Sequence, residues 1–251
     1  MNKPEVVLSW FRRDLRIADN TAFFNALNSG TPVVPIFVFD KAILDKLEDK
    51  NDRRVTFIYE ALVVMQTAFI EEGSTLDVFY GTPQEAFSYF TDKYTVKAVY
   101  TNEDYEPYAR ERDTAIASDL ASKNIGFHSF KDHVIFAKEE VMSDAGKPYT
   151  VFTPFSKKWR KLLTDDHLSE RPSENLLGNL FKQSVIEIPS LVSMGFNHTS
   201  SPFPKPTVSN TLIKNYEEHR NFPSVAGTSR IGVHLRFGTV SVRQLVNQAF
   251  S

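Results

Sequence analysis

Val6-Val-Leu-Ser-Trp-Phe11 and Val33-Val-Pro-Ile-Phe-Val-Phe39 decide the fold. Each is a short, almost unbroken apolar run rich in β-branched and aromatic residues, which is how a strand covered on both faces reads. Between them Asp19-Asn20 offers an N-cap, and the helix it opens runs to about Asn28, where Ser29-Gly30 stops it. The alternation continues outward. Arg53 to Glu72 carries Phe57, Ala61, Val64 and Ala68 at helical spacing and ends at Gly73. Leu76-Asp-Val-Phe-Tyr80 is strand-like, and Thr82-Pro83 then supplies a cap and a first-turn proline. Lys97-Ala-Val-Tyr100 is a short strand, Pro107 to Lys123 a helix with a polar face, and Gly126-Phe-His-Ser-Phe130 a fifth strand. Strands separated by helices predict an α/β fold with a doubly wound, mainly parallel, five-stranded, Rossmann-like sheet.

Past residue 150 the pattern changes. Thr153-Pro154 starts a helix that includes Lys157-Lys-Trp-Arg-Lys161, and residues 165–210 are rich in Ser, Pro and Asn with short apolar pieces such as Leu191-Val192. A connection of that length reads as an interdomain linker lying over the surface. From Asn210 the sequence turns helical again in three short pieces, the last, Val240 to Ser251, without a stop signal. The expected division is an α/β domain over 1–132, a connecting segment over 133–207 and the start of an all-helical domain over 208–251.

Composition narrows the class. A chain of 251 residues, 41% hydrophobic and 24% charged with 21 Phe, builds a core of ordinary globular size. The absence of cysteine excludes disulfides and thiolate metal sites, and with no signal-like or membrane-length apolar run the expected location is the cytoplasm, off the membrane. The net charge of −2 conceals −6 over residues 1–130 and +4 over residues 131–251, which puts any nucleic-acid surface in the second half.

Three clusters carry polar chemistry. Trp10-Phe-Arg-Arg-Asp-Leu-Arg16, followed by Ala18-Asp-Asn20, sits directly after the first strand, where open α/β sheets build ligand crevices. Salt bridges of Arg13, Asp14 and Arg16 that fix the turn are the leading reading there. Thr101-Asn-Glu-Asp-Tyr-Glu-Pro-Tyr-Ala-Arg-Glu-Arg-Asp113 follows the fourth strand and reaches the same crevice if strand order reverses between strands one and four. Solvated charge accounts for Glu106, Arg110 and Arg112, with Glu106 and Arg110 as i,i+4 partners. For Asn102 and Glu103, capping and ligand contact stand level. The third cluster is Tyr216-Glu-Glu-His-Arg-Asn-Phe-Pro223 with Gly227-Thr-Ser-Arg-Ile-Gly-Val-His-Leu-Arg-Phe-Gly238. Gly227 allows a tight turn and Thr228 and Ser229 suit the N-cap of the next helix. Free amides, two hydroxyls and Arg230 there also suit a pyrophosphate, although capping alone explains both hydroxyls. No Gly-x-Gly-x-x-Gly follows the first strand, no Walker loop is present, and His128 and His133 make no metal pair.

Together the clusters resemble the photolyase/cryptochrome family. Trp10–Arg16 with Asp19-Asn20 is similar to its opening motif, and Asn102–Asp113 to its fourth-strand motif. Val151-Phe-Thr-Pro-Phe-Ser-Lys-Lys-Trp159 resembles the entry to its linker. Gly227-Thr-Ser-Arg-Ile231, Leu235-Arg-Phe-Gly238 and Ser241-Val-Arg-Gln244 resemble the start of its flavin-binding domain. The resemblance implies a helical domain that holds FAD in a folded shape. It implies blue-light electron transfer from that flavin to a cyclobutane pyrimidine dimer in DNA, the lesion being flipped out of the duplex. It places Tyr216, Thr228, Ser229, Arg230, Ile231 and Gly232 at the FAD diphosphate, with Gly232 a departure from members that have Ser there. Arg220 matches a position facing DNA phosphate, and Asn102 and Glu103 match antenna-chromophore contacts of folate-type members, the antenna itself being folate, deazaflavin or flavin mononucleotide.

The implied whole is a monomeric carbon–carbon lyase acting on damaged DNA. The adenine and isoalloxazine contacts and the electron-transfer tryptophans are expected after residue 251, and neither Trp10 nor Trp159 belongs to them. The 251-residue chain is therefore expected to contain no catalytic residue and no metal site, to bind FAD poorly, to be inactive, and to be mobile past about residue 165. Competing expectations are a cryptochrome photoreceptor without repair activity, and a stand-alone α/β nucleotide-binding module. The latter predicts a Gly-rich phosphate loop and gives residues 227–238 no role.

Overall fold

Period-two alternation divides each central strand between two cores. The computed structural model describes residues 3–250. Strand β1 (Glu5–Phe11) sends Val7 and Phe11 into one core and Val6, Leu8 and Trp10 into the other. Strand β2 (Val33–Asp40) divides likewise, Val33, Phe37 and Phe39 against Val34, Ile36 and Val38. Helices α1 (Thr21–Leu27) and α3 (Arg53–Glu71) cover the first core with Phe23, Leu27, Leu62, Met65 and Phe69. Helices α4 (Pro83–Lys93) and α5 (Pro107–Ser122) cover the second with Phe87, Phe90, Ile116 and Leu120.

The remaining strands are β3 (Asp77–Gly81), β4 (Thr95–Asn102) and β5 (Gly126–Phe130). The five lie in the order β3-β2-β1-β4-β5 with every pair parallel, as the alternation predicts. The order reverses between β1 and β4, so the carboxyl ends of these two strands flank one crevice.

Local chemistry sets the helix starts. The Phe23 amide donates to Asn20 Oδ1 at 3.1 Å, and Thr82 and Glu85 form a reciprocal capping box at the head of α4. One short helix, α2 (Lys41–Leu44), has no apolar periodicity to announce it and is held by Asp40, whose carboxylate accepts from the Ala42 amide at 2.9 Å.

The connecting segment departs from expectation. After α6 (Phe152–Leu162) and the single turn α7 (Asp165–Leu168), the chain returns along the first core as a strap. The Phe181 amide donates to Val33 O at 2.8 Å, Gln183 N–H to Gly73 O at 3.2 Å, and Asn197 N–H to Lys50 O at 2.8 Å. Leu180, Leu191, Met194 and Phe196 are buried in that core. The short apolar pieces of the Ser- and Pro-rich stretch are therefore anchors spaced along an otherwise polar strand of chain. Three helices follow, as predicted: α8 (Asn210–His219), which buries no residue, α9 (Gly232–Phe237) and α10 (Val242–Phe250). The last two do not stand free, because Phe237 and Ile231 are buried and the Leu15 amide donates to Phe237 O at 3.0 Å.

Candidate functional site

At the crevice, the loop after β1 spends its charges internally. Asp14 accepts from its neighbour Arg12 N–H at 2.7 Å and from Asn102 Nδ2 at 2.7 Å and Asn20 Nδ2 at 3.1 Å. Asn102 also donates to Asn20 Oδ1 and accepts from the Ala22 amide, at 2.8 and 2.9 Å. Both its amide hydrogens and its carbonyl are thus used inside the protein. Glu103, next in sequence, is exposed and its carboxylate has no partner among the described residues. The structure therefore parts the two residues that sequence reading kept level.

Salt bridges of Arg13 and Arg16 fix the turn, as the leading reading held, whereas Asp14 holds it by hydrogen bonds and not by an ion pair. Arg12 meets Asp113 at 2.5 Å, and Arg13 meets Asp104 and Glu106 at 3.1 and 3.0 Å. Two readings of solvated charge are corrected. Glu106 pairs with Arg13 and Arg236, not with Arg110. Arg112, its side chain only 8% exposed, bonds Asp113 and lies over Trp10, whose ring Arg12 also faces, each at 4.8 Å.

Behind this loop lies a buried ion cluster that sequence reading did not assemble. Arg243 of α10 forks onto Asp19, Nε reaching both carboxylate oxygens at 3.0 Å, and its Nη2 donates to Asp132 at 2.8 Å. Arg16 meets Asp132 from the other side at 2.6 Å. Thr21 and Ser241 hydroxyls complete the carboxylates, and both Asp side chains are 0% exposed. Burial alone would push the Asp132 carboxyl up, but Arg16 and Arg243 outweigh it and hold it down to about 2. Burial likewise pulls on Arg243, and Asp132 and Asp19 more than offset it, raising the guanidinium above its ordinary value. Gly238, at φ +62°, lets the end of α9 touch the loop: a Cβ there would lie 2.1 Å from Arg13 O. The hints in sequence were Arg16, read as a salt bridge of the turn, and Arg243 among Val242, Leu245 and Val246.

The third cluster gathers at the end of α8. Tyr216 is 44% exposed and Arg220 lies over its ring at 5.7 Å. Gly227 is buried against this end of the helix, where a Cβ would come within 2.5 Å of His219 Cβ and 2.9 Å of its carbonyl. The glycine is thus required by packing and not by a left-handed turn. Thr228 and Ser229 are not the cap of α9. Ile231 occupies that position without a side-chain bond, and its amide donates to Ser229 Oγ at 3.4 Å. Arg230 sits at φ 52°, a conformation that costs an L-residue about 1 kcal/mol. Thr228 and Arg230 are exposed, with no side-chain partner among the described residues, and Gly232 faces open space. Helix α9 has six residues, so its dipole is slight, and an anion would be met mainly by Arg230 and the hydroxyls.

Among the described residues no group of three or more His, Asp or Glu could hold a metal, and no helix is long and apolar enough to cross a membrane.

A model of the family described as DNA photolyase matches residues 7–174. The chain belongs to the DNA photolyase family. It is 29% identical over 254 residues to a deoxyribodipyrimidine photo-lyase of Synechococcus sp. PCC 6301, covering 95% of this chain and 52% of that one. It is 28% identical over 262 residues to the deoxyribodipyrimidine photo-lyase of Halobacterium salinarum, covering 96% and 54%. The chain thus spans about half the length of these named photolyases. A further relative, an uncharacterized 31.6 kDa protein of Synechococcus sp. PCC 6716, is 31% identical over 246 residues, covering 94% of this chain and 86% of that protein. Among solved structures, a class III photolyase from Agrobacterium tumefaciens superposes with a TM-score of 0.78 at 22% identity, over 98% of this chain and 53% of its own. A Synechocystis cryptochrome does so at 0.77 and 18%, over 100% and 56%. At these identities the two structures establish the shared fold.

Proposed function

We propose that this photolyase-family chain forms the antenna-side part and the first flavin-binding turn of a deoxyribodipyrimidine photolyase, and that the turn 228–232 meets the diphosphate of FAD. The observation that carries the reading is the pairing of a fixed frame with free donors. Gly227 is pressed onto His219, while Thr228 and Arg230 beside it have no partner among the described residues and Gly232 leaves open space. Those features fit a bound diphosphate: one unpaired cation, two hydroxyls, and no side chain in the way. Tyr216 lies on the same face of α8 as His219, the residue onto which Gly227 is pressed.

The flavin, when bound, supplies the light absorption and the electron chemistry. The residues of this chain bind and orient it: Arg230 neutralises the diphosphate, Ser229 and Ile231 hold the shape of the turn, and Arg220 presents a cation to DNA phosphate. For an antenna chromophore the contact falls to Glu103, with Asn102 setting the loop that presents it. The damaged-DNA substrate and the cytoplasmic site of action belong to the same reading, as does the division at residues 132 and 207. Residues 171–199 and 237–243 are nevertheless packed onto the first unit.

Matched titrations of FAD and riboflavin, run on protein of the full length of its photolyase relatives, test the diphosphate contact. Arg230→Ala is expected to weaken FAD about tenfold and to leave riboflavin, which lacks the diphosphate, unchanged. Equal loss for both ligands removes the assignment. Blue-light-dependent splitting of a thymine dimer by FAD-loaded protein of the full length of its photolyase relatives tests the enzyme, and light absorption without repair would point instead to a photoreceptor.

A further inference from the structure

Helix α3 leaves an apolar face open. Of the four residues whose spacing marked it as a helix, only Phe57 is buried in the first core. Ala61 and Ala68 are half-buried and Val64 is 71% exposed, and all four line a cleft of about 500 Å³. Ile17 of the loop after β1 belongs to another wall, and the strap supplies Phe203, edge-on to Phe57 at 4.9 Å. The volume and the apolar lining are those of a small-molecule site.

One donor in that lining is unspent. Arg16, its side chain 8% exposed, also lines the cleft. Its Nη1 donates to Gly238 O at 3.1 Å, and its Nη2 to Asp19 O and Asp132 at 2.7 and 2.6 Å. The Nε–H is buried and has no acceptor among the described residues. A buried donor left unpaired is costly, so an oxygen laid against Arg16 gains a charge-assisted bond after a small readjustment of the side chain.

The surrounding charges favour a neutral ligand. Arg16 and Arg243 are balanced by Asp19 and Asp132, and the exposed Glu60 pairs with His198 at 3.0 Å. Both ring nitrogens of His234 are used, by Thr239 Oγ1 and Pro204 O, each at 2.7 Å. An anion would add a buried charge to a balanced cluster, and a cation would face Arg16.

We propose that this cleft binds a neutral, largely apolar molecule carrying one carbonyl-type oxygen, its apolar body against the α3 stripe and its oxygen on Arg16 Nε. No residue of the 216–232 turn takes part, so the assignment is independent of the flavin reading.

Acetophenone, isopropylbenzene and benzoate are the probes. Isopropylbenzene puts a methyl group where acetophenone has its oxygen, and benzoate puts a charged oxygen where acetophenone has its methyl group. Each is titrated into the protein by ligand-observed NMR. Benzoate is expected to bind at least about tenfold more weakly than acetophenone. Arg16→Lys keeps the positive charge beside Asp132 and removes the Nε–H. It is expected to weaken acetophenone about tenfold and to leave isopropylbenzene, the check on an intact cleft, within about twofold. Ala61→Phe fills the cleft from a half-buried helix position and is expected to abolish binding of all three with an unchanged far-UV circular dichroism spectrum. Should Arg16→Lys fail to fold, the order of the probes on the wild type and the effect of Ala61→Phe decide alone. Benzoate binding as tightly as acetophenone, equal losses of acetophenone and isopropylbenzene in folded Arg16→Lys protein, binding that survives Ala61→Phe, or no binding of acetophenone would each overturn the proposal.

Discussion

Gly238 shows what one missing methyl group does. Its φ of +62° and the backbone of Arg13 and Asp14, both within 3 Å of where a Cβ would stand, make it a joint between α9 and the loop after β1. Gly238→Ala is expected to destabilise the protein by at least about 2 kcal/mol, through strain and displacement together. Gly146, at φ +68° with nothing nearby, separates the two terms: Gly146→Ala is expected to cost only about 1 kcal/mol. Urea denaturation midpoints of the two variants check the difference. Asp132 makes a second residue-scale case. Its folded-state pKa of about 2 lies below the ordinary 3.8, so the deprotonated carboxylate favours the folded state. That contribution, on the order of 2 kcal/mol, is complete above about pH 5 and is lost as pH falls through 4 towards 2. Unfolding free energy measured over this range is expected to fall in the wild type and to flatten in Asp132→Asn.

At the scale of elements, α10 is held to the α/β unit by charge more than by apolar area. Its Arg243 is the one residue of the helix that is buried, and it is the second cation between two aspartates with no exposure to water. Arg243→Met leaves Asp132 with Arg16 and the Asp19 carboxylate with no cation, and an uncompensated buried carboxylate costs about 3–5 kcal/mol. The cheapest relief is for residues 232–250 to leave. Hydrogen exchange is expected to quicken across α9 and α10 while β1 and β4 keep their protection. Adding Asp19→Asn, which removes the unpaired charge, is expected to restore part of the slow exchange. If β1 and β4 lose protection equally, the cluster belongs to the global core and not to a joint.

For the molecule as a whole, the strap joins what composition had set apart as a linker. Phe196 is 3% exposed and lies in the same core as Phe23 and Phe69, far from it in sequence. Phe196→Ala is expected to cost about 3–4 kcal/mol and to lower the midpoint of one cooperative transition, followed by both circular dichroism and Trp fluorescence. Two separated transitions would show the strap to be an independent layer. The unpaired cation of the turn, Arg230, lies outside these joints, which leaves it available to a ligand.

The α/β class, the five parallel strands and the cap at Asn20 were readable from residues in order, because strand alternation and capping are decided within a few positions of the chain. The motifs around Arg13, Asn102 and Thr228 were also readable as marks of the family. What the folded chain alone decided was which of those side chains remain free. Asn102 is consumed by Asp14 and Asn20, Arg112 by Asp113 and Trp10, and Asp19 and Asp132 by an arginine more than a hundred residues away. An ion pair across such a distance leaves no periodic trace in sequence, since its energy depends on burial and approach in three dimensions, and only the tertiary structure supplies both.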